Sequence, residues 1–131
     1  MKKEDAVIFL LVSAAGMAAV SAAPFLVPHA WTQPPYGILR QGVEDFSKVS
    51  ALGLFFIGLA AGYARPQKAW VWGWASMVLY PVVAFMEMGQ DPASHNLWPL
   101  EFICYGAESL CAVAGSHIGG RLRSLSRPDT R

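Results

Sequence analysis

The sequence predicts an all-α membrane protein, a four-helix transmembrane bundle in which residues 1–131 form one integral-membrane domain. The chain of 131 residues is 54% hydrophobic and only 15% charged, whereas soluble domains average about 25% charged residues. Its apolar residues fall into four blocks of roughly 20, the length that crosses a bilayer core about 30 Å thick. Stretches rich in turn-forming or charged residues separate these blocks.

The first predicted span covers residues 6–27 and follows a short charged start. A secretory signal peptide is the rival interpretation, because two lysines precede the apolar run and residues 20–22 resemble a cleavage context. Glu4 and Asp5 are unusual in the positively charged start of a signal peptide. An uncleaved transmembrane helix is therefore the favoured interpretation.

A short interfacial segment, residues 28–41, is predicted between the first and second spans. Its adjacent prolines exclude a helix, and a Pro-Tyr-Gly sequence is typical of a turn. Trp31 and Tyr36 suit the headgroup layer, where amphipathic aromatic rings concentrate. This segment is therefore expected to lie on the membrane surface.

The second predicted span covers residues 43–64. Acidic residues at its start complement the helix dipole, and Glu44 can pair with Lys48 one turn further on. Gly58 and Gly62 form a GxxxG step, which allows the backbone of another helix to approach closely.

The third predicted span covers residues 69–88 and follows a tight basic turn. Pro81 interrupts its backbone ladder in mid-span, which predicts a kink. Three tryptophans at its start are expected to anchor it in the interface: Trp70, Trp72 and Trp74. Five residues are predicted to share one face of this helix: Gly73, Ser76, Tyr80, Ala84 and Glu87.

The fourth predicted span, residues 98–120, is apolar but carries two carboxylates, Glu101 and Glu108. Charge at membrane depth is costly and usually faces protein or a watery cavity. This span is therefore expected to pack its polar side against protein, and a basic tail, residues 121–131, follows it. At about 100° per residue, the polar side is a narrow arc of six residues: Glu101, Cys104, Glu108, Cys111, Gly115 and Gly119.

The distribution of basic residues predicts the orientation. Four spans place both termini and the second connection on one side, and that side holds eight of the ten lysines and arginines. By the positive-inside rule, both termini are therefore cytoplasmic in a multi-pass protein of the inner or plasma membrane. The eight residues on this side are Lys2, Lys3, Arg65, Lys68, Arg121, Arg123, Arg127 and Arg131.

The last two spans are predicted to form an antiparallel hairpin with a site between them. Glu87 leads to Tyr80 seven residues deeper on the third span, and Glu101 leads to Glu108 seven residues deeper on the fourth. Seven residues are nearly two turns, so each pair stays on one face and reaches a similar depth. Glu87 and Glu101 are expected at the outer mouth. Tyr80 is expected to hydrogen-bond Glu108 below them.

Two carboxylates close together in a poorly hydrated setting cannot both ionise cheaply, so one is expected to bind a proton near neutral pH. Glu108 suits a proton relay or a cation site because it lies deepest. The alternative is that it stays protonated and only donates a hydrogen bond to Tyr80. Further candidates for the lining of this outward-facing cavity are Lys48, His95 and Arg40.

The sequence predicts no cofactor, no metal site and no nucleic-acid partner. Met86, His95 and Cys104 offer copper or zinc ligands near the outer end, but their spacing matches no ligand signature. Cys104 and Cys111 would lie about 10.5 Å apart on one helix, beyond the roughly 7 Å limit for a disulfide. An enzyme is the least favoured class, because no nucleophile–base pair or phosphate-binding loop is visible.

Two functions remain open, both with the lipid bilayer as surroundings. The first is transport or binding of protons or a small cationic solute. A transporter of this size would need a homodimer formed through the GxxxG faces, at Gly58 and Gly62 or at Gly115 and Gly119. The second is an accessory or assembly subunit of a larger membrane complex, without transport or catalytic activity of its own.

Overall fold

The computed structural model describes residues 3–26, 46–90 and 98–126. All regular secondary structure in these residues is helical. Only a short turn separates the third and fourth helices, so the described residues form four helical segments, as predicted. The interfacial segment predicted at 28–41 lies outside the described residues. In chain order the helices are α1 (Lys3–Leu26), α2 (Lys48–Ala64), α3 (Ala69–Ala75), α4 (Leu79–Gln90) and α5 (Trp98–Ser126).

Two helical segments among the described residues are long and apolar enough to cross a membrane, Lys3–Ala22 and Ala69–Gly89. They correspond to the first and third predicted spans. α2 is also apolar but has only 17 residues. α5 is the longest helix, with 29 residues, and is not one of the two.

α2 begins later than predicted. Its N-cap is Ser47, whose hydroxyl accepts a hydrogen bond from the backbone N–H of Ser50 at 3.1 Å. Serine is a favoured N-cap because its oxygen satisfies one of the unpaired amides of the first turn. The predicted start near residue 43 is therefore wrong, and Lys48 is the first residue of the helix. Its predicted partner Glu44 lies outside the described residues.

The third segment is interrupted at residues 76–78, shortly before Pro81. Pro81 explains the interruption, because it has no N–H to donate to Met77 and its ring clashes with that carbonyl in a regular helix. The predicted break in the backbone ladder is confirmed. Around the interruption, several backbone N–H groups donate to the carbonyl of the third residue before them, whereas an α-helix uses the fourth. The donors are Ser76, Met77, Val78 and Tyr80, at distances of 3.2–3.3 Å.

The glycines of α2 allow α5 to approach at backbone distance. A Cβ atom on Gly58 would overlap the carbonyl of Ala112, and one on Gly62 would overlap that of Ser116. The residue numbers increase together in these two contacts, so α2 and α5 run in the same direction. The predicted close approach at this GxxxG step is confirmed.

The glycines of α5 make the reciprocal contact. A Cβ on Gly115 would overlap the carbonyl of Phe55, and one on Gly119 would overlap that of Leu59. Both GxxxG faces are therefore used within one chain. A homodimer through these faces stays a prediction, and it would require α2 and α5 to exchange this contact for one with a second copy.

α1 packs beside α3 in a similar way. Gly16 lies against the carbonyl of Ser76. The hydroxyl of Ser13 donates to the carbonyl of Ala75 at 2.8 Å and to the carbonyl of Phe9 in its own helix at the same distance. Small and hydroxyl-bearing residues therefore hold these two helices together, as is common between helices in lipid.

Trp72 lies in the core and not in an interface. It is 5% exposed, and its indole N–H donates to the carbonyl of Arg65 at 3.1 Å. Trp70 and Trp74 are 57% and 47% exposed. Two residues along a helix turn the side chain by about 200°, so Trp72 must point away from its neighbours. The predicted interfacial role is wrong for this residue.

The interior is rich in small polar side chains, and large apolar side chains lie on the outside. Soluble proteins show the opposite tendency, because leucine and phenylalanine are usually buried and serine exposed. Five serines are fully buried: Ser13, Ser50, Ser76, Ser109 and Ser116. Large apolar side chains that are more than half exposed include Leu10, Leu11, Phe56, Ile103 and Leu110.

Candidate functional site

Glu108 is buried on the inward face of α5. Only 8% of the residue is exposed. Its Oε2 atom is fully buried and has no hydrogen bond partner among the described residues. An unpaired buried carboxylate oxygen costs free energy, so most buried polar groups in folded proteins have a partner. Glu108 is therefore the most unusual side chain in the described part of the chain.

The inward face of α5 is rotated from the predicted polar arc. Cys104 is exposed and Cys111 is only half-buried, so the arc was wrong at these two positions. The arc was predicted from the polarity of its residues. Burial instead depends on which side chains have a size that fits the neighbouring helices. The buried residues of α5 are Tyr105, Glu108, Ser109, Ala112, Gly115, Ser116 and Gly119.

Tyr80 is buried, but it does not bond to Glu108. Its hydroxyl is hydrogen-bonded to Ser21 Oγ at 3.0 Å and donates to the carbonyl of Met17 at 3.4 Å. Both partners belong to α1, which packs beside the third segment. The predicted hydrogen bond is therefore wrong. Tyr80 and Glu108 nevertheless lie near enough to interact electrostatically.

The error is one of register between the third segment and α5. The rings of Tyr80 and Tyr105 lie 5.6 Å apart between centroids, and Gly73 lies against Val113. The two segments therefore run antiparallel. Glu108 is three residues beyond Tyr105, or about 4.5 Å along the helix. It thus lies one turn deeper than Tyr80, at the level of the turn between α3 and α4.

Tyr105 is the residue that connects the predicted carboxylates, and it was not among the predicted site residues. Its hydroxyl interacts electrostatically with Glu101, Glu108 and Glu87. The sequence does contain a pattern that predicts the position of Tyr105 beside these carboxylates. Tyr105 follows Glu101 by four residues and precedes Glu108 by three, a spacing that places all three on one helix face.

Glu87 and Glu101 are both half-buried and lie where α4 ends and α5 begins. Phe85 and Phe102 hold these two helix ends together, with ring centroids 5.2 Å apart and planes at 81°. The structure therefore brings both carboxylates to one end of the same helix pair. Their common neighbour is Tyr105, which lies between them and Glu108.

The remaining candidates are not part of this cluster in the described structure. Lys48 is exposed at the first position of α2, and the described contacts do not join it to the carboxylates. His95 and Arg40 lie outside the described residues. Within residues 3–26, 46–90 and 98–126, no group of three or more His, Cys, Asp or Glu side chains could hold a metal ion.

The arrangement offers a buried carboxyl group, a neighbouring phenol and a backbone turn at the same depth. Carboxylate and backbone oxygens bind protons and hard cations. The described residues contain no nucleophile–base pair beside the carboxyl group. No family model, curated protein or solved structure matches the chain, so its function must be inferred from these residues.

Proposed function

We propose that the chain is a multi-pass protein of the cell membrane and that its four helical segments form a transmembrane bundle. The distribution of side chains supports this proposal, since serines and glycines pack inside and large apolar residues cover the outside. An apolar surface of this extent is unfavourable in water. Lipid solvates it, and small residues then provide the contacts between helices.

Both termini are proposed to be cytoplasmic. Arg65 pairs with Glu4 at 2.6 Å, which joins the turn after α2 to the start of α1. Arg123 donates to the carbonyl of Tyr63 at 2.7 Å, which joins the end of α5 to the same place. We call this the basic end of the molecule. Among the described residues, the segments that meet there carry five of the six lysines and arginines, which supports a cytoplasmic location.

The proposed function is binding or transport of a proton or a small cation at Glu108. The observation that carries this proposal is the buried Oε2 atom without a hydrogen bond partner. A carboxylate retained for packing alone would have a donor beside it, because an unpaired buried charge destabilises the fold. A bound proton or cation supplies the missing partner. Tyr105 is the proposed second ligand or relay group.

The interrupted third segment supports this position for a binding site. The turn between α3 and α4 lies at the depth of Glu108, as the contacts of Tyr80 and Gly73 with α5 indicate. Irregular backbone at membrane depth is tolerated where it is enclosed by protein or lines a cavity. Broken helices therefore often mark substrate and ion sites in transporters.

Glu108→Gln tests the proposal, because glutamine keeps the shape of the side chain and removes its titratable proton. The purified full chain is placed in proteoliposomes, and fluxes of protons and several organic cations are measured under imposed gradients. Infrared spectra follow the carboxyl C=O band during a pH titration of the same protein. We expect Glu108→Gln to lose both the flux and the band of the buried carboxyl group.

Glu4→Gln is the matched control, because it removes an exposed carboxylate at the basic end. It should retain the flux and the buried carboxyl band of the wild-type protein. If Glu108→Gln keeps both signals at wild-type level in correctly assembled protein, Glu108 does not bind the proton or cation.

The second candidate is an accessory or assembly subunit of a larger membrane complex. One observation favours it: only 22% of the most apolar stretch of α1 is buried, against 44% for the third segment. α1 therefore leaves a large surface for a partner, whether another protein or a second copy of the chain. Extraction in mild detergent followed by sizing distinguishes these cases. A homogeneous particle supports the first function, and co-purification with a larger complex supports the second.

A further inference from the structure

A cavity of about 280 Å³ lies at the basic end, between the start of α1, the turn after α2 and the end of α5. Its wall includes three cationic side chains, Arg65, Lys68 and Arg123, and one acidic side chain, Asp5. Trp72 completes one side, where its hydrogen bond to the Arg65 carbonyl holds it in place. None of its lining residues belongs to the carboxylate cluster, and Arg123 follows Glu108 by 15 residues on α5, or about 22 Å along the helix.

The cavity has an excess of positive charge. Arg65 is balanced by Glu4 at 2.6 Å and approaches Asp5 at 4.0 Å. No ion pair within the described residues balances Lys68 or Arg123. A concave site with excess positive charge attracts anions, because its walls focus the field of the charges.

Arg123 has donors to spare for such an anion. One of its terminal nitrogens donates to the carbonyls of Tyr63 and Ala64 at the end of α2, which fixes the guanidinium group. Arginine has five N–H donors in a planar fork, and that fork matches the oxygens of a phosphate group. Lys68 is exposed at the cavity wall and can add a second charge-assisted hydrogen bond.

We infer that this cavity binds a phosphate group, carried by an anionic lipid headgroup or by a soluble phosphate. Its volume of about 280 Å³ is roughly nine times the ~30 Å³ share of one water molecule. That space holds a phosphate with a few waters and lies at the lower limit of drug-sized ligand sites. Under the proposed orientation the cavity faces the cytoplasmic leaflet, where anionic lipids concentrate.

The test uses the full chain in detergent, with binding measured separately for two probes. Native mass spectrometry counts bound phosphatidylglycerol, with phosphatidylcholine as the zwitterionic reference. Calorimetry measures binding of inorganic phosphate. Lys68→Gln removes one ligand without touching a structural contact, and the double variant Lys68→Gln/Arg123→Gln removes two. Arg121→Gln is the matched control, because Arg121 is exposed on α5 and outside the cavity wall.

We expect Lys68→Gln to weaken binding about tenfold, as loss of one charge-assisted hydrogen bond should, and the double variant to weaken it further. Arg121→Gln should change binding less than about twofold. Phosphate that binds and displaces the lipid identifies a soluble phosphate as an accepted ligand. Lipid binding that phosphate does not displace identifies the headgroup. The inference is overturned if neither probe binds, or if Arg121→Gln has the same effect as Lys68→Gln.

Discussion

The two halves of α5 differ in how completely their contacts are satisfied. The first half, residues 98–109, meets the third segment through aromatic rings and leaves a buried oxygen of Glu108 without a partner. The second half, residues 112–120, meets α2 through Gly115 and Gly119, where no Cβ atom fits. One helix therefore combines an unsatisfied polar group with a tightly packed backbone contact.

This difference indicates how the chain tolerates its buried carboxyl group. An unfavourable feature persists only when the surrounding structure determines it strongly. The contact between α2 and α5 supplies that support, since two backbones at close range have little freedom to shift. The second half of α5 is thus the scaffold, and the first half is the candidate site.

The largest expected effect comes from breaking the scaffold. Gly115→Leu places a side chain where the carbonyl of Phe55 already lies, so α2 and α5 must separate. We expect a loss of about 3 kcal/mol in the free energy of unfolding and little monodisperse protein after extraction. Ala114→Leu is the control, because that neighbour is exposed. Normal thermal unfolding of Gly115→Leu would show that the two helices do not depend on this contact.

Removing the unsatisfied carboxyl group of Glu108 should stabilise the protein. Glu108→Leu exchanges a buried oxygen without a partner for an apolar side chain. We expect it to raise the free energy of unfolding by about 1–3 kcal/mol, the usual cost of such a group, and to abolish proton or cation binding. Thermal unfolding and the flux assay measure the two effects. Destabilisation of Glu108→Leu beyond that of Glu108→Gln would reveal a structural partner for the carboxyl group.

Tyr80 packs against the first half of α5, but its hydroxyl is hydrogen-bonded to α1. Tyr80→Phe loses the hydrogen bonds to Ser21 and Met17, which we expect to lower the free energy of unfolding by roughly 1 kcal/mol. The infrared band of Glu108 should not change. Tyr63→Phe is the control, because Tyr63 is 46% exposed. A shift of the Glu108 band in Tyr80→Phe would restore the direct bond that the sequence suggested.

Much of the fold could be predicted because local patterns determine it. Apolar blocks predicted four helical segments, and Pro81 predicted the break that lies at residues 76–78. The start of α2 was placed too early, although Ser47 is a typical N-cap. The glycine steps predicted close helix contacts. They did not identify the partner helix, because a GxxxG step describes a surface and not what covers it.

The candidate site was harder to predict. Spacing placed Glu101 and Glu108 on one helix and indicated a buried carboxyl group. Which residue lies opposite Glu108 depends on the register of two helices. That register cannot be counted from their predicted ends, since an error of three residues moves a side chain by a full turn. The spacing of Tyr105 from Glu101 and Glu108 places it on the same helix face. The prediction nevertheless selected the neighbouring arc, because its residues are more polar.

The smallest expected effect compares the two halves of α5 directly. Ser109 and Ser116 are fully buried, one in each half, and each hydroxyl donates to a carbonyl three residues back, at 2.6 and 2.8 Å. Alanine loses this local bond but is a better helix former. Ser109→Ala and Ser116→Ala should therefore each change the free energy of unfolding by less than about 0.5 kcal/mol, measured by thermal unfolding. A cost above about 1 kcal/mol in one half only would mean that hydroxyl groups distinguish the halves, and not the glycines and Glu108.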